Sequence, residues 1–319
     1  MSDSGRSLQL SGRFSPLLEL WVPITIAAAF LQNARSALQR ALRSELSNAG
    51  ATYVRFAFGV AFAGLYLAGL SAFLGHPLPR ANIDFLFYGA LGGLAQILGT
   101  AALLRAVSVR SFAVGTAFSK TEPLQAAAFG FLLLGEPVSA WGSAALLVSL
   151  VGVGVLALAR SEFSLGTLRA VLLDRGAWIG IASGGFFGVA AVCYRGASLS
   201  LEGDAGAFLR AAFTLFCVIL FQTVVMTLHL WLREPGQLRQ VARAWKPALW
   251  VGACGAMASV GWFTAMTLEN AAYVRAVGQL ELVFALGASW LFFRERVTPT
   301  EIVGIGAVLG GVLLLVLRG

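Results

Sequence analysis

The sequence predicts an all-α integral membrane protein of ten transmembrane helices, built as two inverted repeats of five, and three observations carry that prediction. Hydrophobic side chains make up 58% of the 319 residues and charged ones only 12%, a composition far from that of a soluble globular domain. The apolar residues gather into ten runs, each close to the roughly 20 residues a helix needs to cross the hydrocarbon core. The third observation is a pattern that occurs twice. Glu122 and Glu136 stand 14 residues apart, Glu281 and Glu295 do the same, and a shift of 159 residues superimposes the two pairs.

Residues 1–16 read as a polar N-terminal tail whose only cations are Arg6 and Arg13. No small-residue cleavage site follows, so the first apolar run is expected to remain as a helix. The first repeat covers 17–159, with runs near 17–38, 50–73, 84–106, 112–134 and 139–159. Residues 160–175 form the linker, and the second repeat covers 176–317, with runs near 176–198, 206–231, 247–268, 272–293 and 299–317. Helix is the expectation throughout because backbone in lipid must satisfy its own hydrogen bonds, and the runs are too continuous for the alternating strands of a barrel. Five is an odd number, so the second repeat enters the membrane from the side opposite to the first. The resulting axis in the membrane plane suits alternating access, with a binding site near the midplane. At or near the same shift, Arg35 matches Arg195 and Arg55 matches Arg210.

The net charge of +8 does not indicate nucleic acid, because the arginines stand singly at the ends of apolar runs, where they snorkel to headgroups. Cys193, Cys217 and Cys254 lie inside apolar runs without CxxC or histidine spacing, so neither a metal nor a disulfide framework is expected. The chain has no Walker A sequence and no HExxH, GxGD or GxSG, which argues against ATP-driven transport within the chain and against an intramembrane enzyme. A secondary transporter of a small molecule is expected, without cofactor, embedded in the bilayer as a monomer or homodimer. The alternative from another class is a non-transporting structural or receptor-like membrane protein.

The fourth run carries the most unusual chemistry, reading SKTEPLQAAAFGFLLLGEPV from Ser119 to Val138. Glu122 and Glu281 are expected near the middle of the fourth and ninth helices, where a carboxylate is costly unless it is paired or faces water. Each could exchange protons with the medium or hold a cationic group of the substrate; each could equally accept bonds from a nearby arginine and fix packing. Lys120 has Gln279 as its repeat partner and could bind a substrate carboxylate or pair with an acid on another helix. On a regular helix it points about 200° away from Glu122, whereas Ser119 shares that glutamate's face. Pro123 is expected to kink the helix and to serve as a hinge.

This fourth helix, its counterpart AVGQLELVFALGASWLFFRER, and the glycine-rich helix that closes each half resemble the EamA-type branch of the drug/metabolite transporter superfamily over nearly the whole chain. The second repeat departs from the first at Leu282, where the first has Pro123, and at Arg294, where it has Gly135. The resemblance implies export or exchange of small organic solutes, including amino acids, by alternating access around a central cavity in a cell membrane, the bacterial inner membrane being the expected one. Multidrug or organic-cation efflux is the alternative within the superfamily.

Gln32, Asn33, Arg35, Ser36 and Gln39 make the end of the first helix polar, either as an interfacial end or as a cavity mouth shared with Gln96. Arg55 and Arg210 read as interfacial. Trp262 and Tyr273 could form an aromatic wall, while Trp141, Trp178, Trp231, Trp245 and Trp250 read as an interfacial belt. Glycines four residues apart, Gly89 with Gly93, Gly180 with Gly184 and Gly188, and Gly306 with Gly310, are expected at close helix contacts. The substrate-binding candidates are therefore Ser119, Lys120, Glu122, Gln96, Trp262, Gln279 and Glu281, with Glu122 and Glu281 also the proton-coupling candidates. Loop cations cluster on the face away from the termini, while the termini's face has Arg6, Arg13, Arg80, Arg275 and Arg318. That count places both termini outside the cytoplasm, against the habit of the resembled family.

Overall fold

The computed structural model describes residues 16–42, 46–109, 118–159, 175–293 and 298–318. Among them the chain is helical, apart from short connections and a single bridge in which Arg80 and Glu202 exchange backbone N–H···O bonds at 3.0 Å. The helices are α1 (Pro16–Leu42), α2 (Asn48–Ala57), α3 (Gly59–Leu74), α4 (Ile83–Val109), α5 (Glu122–Leu134), α6 (Ala140–Ala159), α7 (Arg175–Ser200), α8 (Ala207–Arg233), α9 (Gln237–Arg243), α10 (Trp245–Leu268), α11 (Ala271–Gly278), α12 (Leu280–Phe293) and α13 (Pro299–Arg318).

Among the described residues six helical stretches are long and apolar enough to cross a membrane: 48–74, 83–106, 175–200, 207–233, 245–268 and 299–318. The protein is an integral multi-pass membrane protein. Its outer surface is apolar accordingly, with Phe73 and Leu65 among the most exposed side chains, and Trp141, Trp178, Trp231, Trp245 and Trp250 all exposed, as an interfacial belt requires.

Two breaks position the functional region. The backbone leaves the helix at Lys120 and Thr121, where the Thr121 hydroxyl donates to Phe118 O at 2.7 Å and Pro123 contributes no N–H. Glu122 is consequently the first residue of α5 with Pro123 beside it, so the proline starts a helix and does not kink the middle of one. The break also removes the expected 200° separation of Lys120 from Glu122. A second break falls at Gln279, 159 residues after Lys120, without any proline. There the chain tightens to i→i−3 bonds, Gln279 N to Ala276 O at 3.1 Å and Leu282 N to Gln279 O at 3.0 Å.

Packing joins early helices to late ones: α4 lies on α7, α1 on α10, and α6 on α13. In the last pair a Cβ at Gly152 would stand 2.7 Å from the backbone N of Val308, so glycine is what lets those backbones touch. Gly306 and Gly310, expected at such a contact, have open space beside them, and Gly304 and Gly311 make the approach instead. Gly184 and Gly188 of α7 do meet the expectation, since a Cβ at Gly184 would lie 2.8 Å from Ser119 O and one at Gly188 would lie 3.1 Å from Ala126 N. The broken start of α5 therefore rests directly on α7.

Candidate functional site

The two breaks meet at the centre of the molecule. Lys120 Nζ pairs with a carboxylate oxygen of Glu281. Arg275, from α11, donates from Nη2 to Glu122 Oε2 at 2.6 Å while its Nε faces the other oxygen. Glu281 also accepts from Gln32 Nε2 at 2.6 Å, and Asn33 Nδ2 donates to its backbone carbonyl at 2.8 Å. Trp262 Nε1 completes the ring by donating to Gln32 Oε1 at 3.1 Å, and the Arg275 guanidinium lies 4.6 Å above the Trp262 ring centre. Both carboxylates are well shielded, and ions so placed are tolerable only when paired and hydrogen-bonded. Here each glutamate is matched by a cation from the other half of the chain.

Above this floor lies a cavity of about 410 Å³. Glu122, Lys120, Ser119, Glu281, Trp262 and Gln96 all line it. Gln96 is more than a cavity-mouth residue: its Oε1 accepts from Gln222 Nε2 at 2.8 Å and from Tyr194 OH at 2.9 Å, and Tyr194 stacks on Phe263 at 4.4 Å. Gln279, by contrast, borders only a narrow cleft beside the floor. Its Nε2 donates to Lys120 O at 3.1 Å, which ties the two breaks together.

The cavity reaches toward the end of the molecule where α1 finishes and α2 begins, and its wall there includes Gln32, Asn33, Gln39, Arg35 and Arg55. Arg35 and Arg55 are thus half-buried cavity residues and not interfacial anchors. Arg210 behaves differently, donating to the carbonyls of Ala205 and Gly203 at 2.9 Å and so tying the connection before α8 to that helix's first turn.

The opposite end is tied by a second charge cluster that sequence reasoning missed. Arg195 Nε bonds both oxygens of Glu136 at 2.9 and 2.8 Å, and its Nη1 donates to Met266 O at 2.9 Å and Glu269 O at 2.8 Å. Ser198 and Thr267 share a buried 2.7 Å hydrogen bond alongside. Arg275 was also misplaced by the sequence, which counted it among loop cations; it lies inside, at the floor. The available signal was its position four residues into a predicted span. Tyr273 departs from the expected aromatic wall, since its hydroxyl accepts from Ser139 N at 3.1 Å on the side where α6 begins, away from the cavity. Glu295 lies outside the described residues. Among the described residues no group of His, Cys, Asp or Glu is arranged to hold a metal.

Comparison with known proteins agrees with the architecture. The model of the EamA-like transporter family matches residues 174–317, as the resemblance read from the sequence implied. No curated protein matches the chain. A solved structure, titled only as the crystal structure of a protein, superposes with a TM-score of 0.68 at 18% identity, covering 94% of this chain and 98% of its own. At that identity the likeness concerns the fold.

Proposed function

We propose, from the match of residues 174–317 to the EamA-like transporter family, that the protein is a secondary transporter that exports or exchanges a small organic metabolite, such as an amino acid or related solute, by alternating access. The observation that carries this reading is the contrast between the two ends of the molecule. A charged cavity reaches toward one end, whereas the other is tied by Arg195 and Glu136. Opening that end requires breaking a contact between the two halves, while the floor pairs Lys120–Glu281 and Arg275–Glu122 act as the pivot.

The proposed frame is ten spans in two inverted repeats. It is supported by packing that survives exchange of the halves: α4 on α7 corresponds to α10 on α1, and α5 on α7 corresponds to α11 and α12 on α1. The matching breaks at Lys120 and Gln279 support it too. A bacterial inner membrane is the proposed location, with bilayer and solute as the partners. Glu122 is the proposed proton site: on taking a proton it would release Arg275 and shift the balance between the two forms.

Purified protein in proteoliposomes, with an imposed pH gradient and labelled amino acids and organic acids, tests this. Uptake that follows the gradient in wild type and ignores it in Glu122→Gln is the expected result. Uptake blind to the gradient in both, with Glu122→Gln lowering only the yield of folded protein, would remove the proton linkage. No uptake of any solute would remove the transport reading.

A further inference from the structure

Of the six charged side chains around the cavity, Lys120 and Arg275 are matched by Glu281 and Glu122, which leaves Arg35 and Arg55 as an excess of two positive charges. Among the described residues neither arginine meets a carboxylate. Arg35 has only a 3.3 Å contact from Nη2 to its neighbour Ser36, and its Nε is buried without a partner; Arg55 lies 4.6 Å over the ring of Phe56. Both stems converge on one spot of α10, where a Cβ at Gly255 would stand 3.3 Å from Arg35 Cδ and 3.8 Å from Arg55 Cβ. Two like charges side by side in a largely apolar protein repel each other and are poorly solvated. An oxyanion between them would remove both penalties, and guanidinium is the group best shaped to hold carboxylate or phosphate oxygens in pairs.

The rest of the cavity extends the argument. Because Gln96 Oε1 is taken by Gln222 and Tyr194, its amide N–H groups are the part left for a ligand. Both carboxylates are already matched, so an ammonium group entering the cavity would have to displace Lys120 or Arg275 to find a partner. Phe187 and Phe263 add apolar wall to the same cavity.

We propose that the solute taken by this cavity is an organic anion whose carboxylate or phosphate docks between Arg35 and Arg55, with its apolar body against Phe187 and Phe263. The proposal rests on the transport reading for its physiological meaning, but binding can be measured separately. Full-length protein in lipid nanodiscs would be titrated with benzoate, phenyl phosphate and benzylammonium, which share one ring and differ in charge, with the thermal unfolding midpoint as readout. At least one anion is expected to raise the midpoint saturably, and benzylammonium is not. Stabilisation by benzoate alone assigns a carboxylate, and by phenyl phosphate alone a phosphate.

Arg35→Gln and Arg55→Lys are each expected to weaken the anion's apparent affinity about tenfold or more. In anion-free buffer Arg35→Gln should unfold no lower than wild type, because it relieves a repulsion; a purely structural arginine would lower it. Saturable stabilisation by benzylammonium, no saturable shift with any of the three, or wild-type anion affinity in both variants would overturn the proposal. Anion binding without uptake of any labelled solute in proteoliposomes would instead sink the transport reading and leave the anion site standing.

Discussion

Glu122 and Glu281 each face a cation supplied by the other half of the chain, whereas Arg35 and Arg55, on the wall of the same cavity, face no carboxylate among the described residues. The first arrangement uses charge as internal glue: both carboxylates are shielded and each is paired with a cation of the protein. The second keeps charge in reserve, since the cost of holding two arginines together is repaid only by something that enters. Ionisable residues inside a membrane protein are therefore not all of one kind, and the number of protein partners separates those that hold the fold from those open to a ligand.

The sharpest way to break the comparison is at the floor. Arg275→Gln leaves Glu122 as an uncompensated shielded charge and should cost about 3–5 kcal/mol, seen as a large loss of monodisperse protein in size-exclusion chromatography. Adding Glu122→Gln should restore most of it, because the double variant no longer carries a lone ion; failure of that rescue would mean Arg275 acts through its stacking on Trp262 instead.

A smaller effect is expected at the tied end. Arg195→Gln removes the partly exposed pair with Glu136 and weakens the ties to the α10 carboxyl end, a loss of about 1.5–3 kcal/mol in all. It should leave the cavity intact while opening the far side. With Ser198→Cys as a reporter in a background lacking the three native cysteines, thiol labelling should speed up when Arg195→Gln is added. An unchanged labelling rate would show that this cluster is not what closes the end.

The smallest effect is expected for Trp262→Phe. It loses the Nε1 bond to Gln32 and should lower the thermal midpoint by the equivalent of about 1 kcal/mol, with anion affinity at the Arg35 and Arg55 end unaffected. A change in that affinity would mean that the two polar ends of the cavity are coupled.

Much of this architecture is legible in the chain because hydropathy is a local property. Apolar runs read as helices wherever the structure describes them, and Glu122, Lys120 and Glu281 stand out by being charged where lipid thickness leaves no room for charge. The breaks are less legible. Pro123 announces the first, but nothing comparable stands at Gln279, whose break follows from packing around it: Gly278 sits against the Trp262 ring, with no room for a side chain. Lys120 illustrates the consequence. A regular helix turns it away from Glu122, and only a broken one brings both to the same cavity.

The sequence by itself determined that this is a helical membrane protein with carboxylates at intramembrane positions related by a shift of 159 residues, because composition, run length and spacing need no knowledge of what touches what. Only the tertiary structure decided the pairing. Lys120 meets Glu281 across 161 residues and Arg275 meets Glu122 across 153, and such partners are chosen by how helices pack. The same packing set Arg35 and Arg55, which meet no carboxylate among the described residues, side by side on the cavity wall, a juxtaposition that spacing along the chain does not reveal.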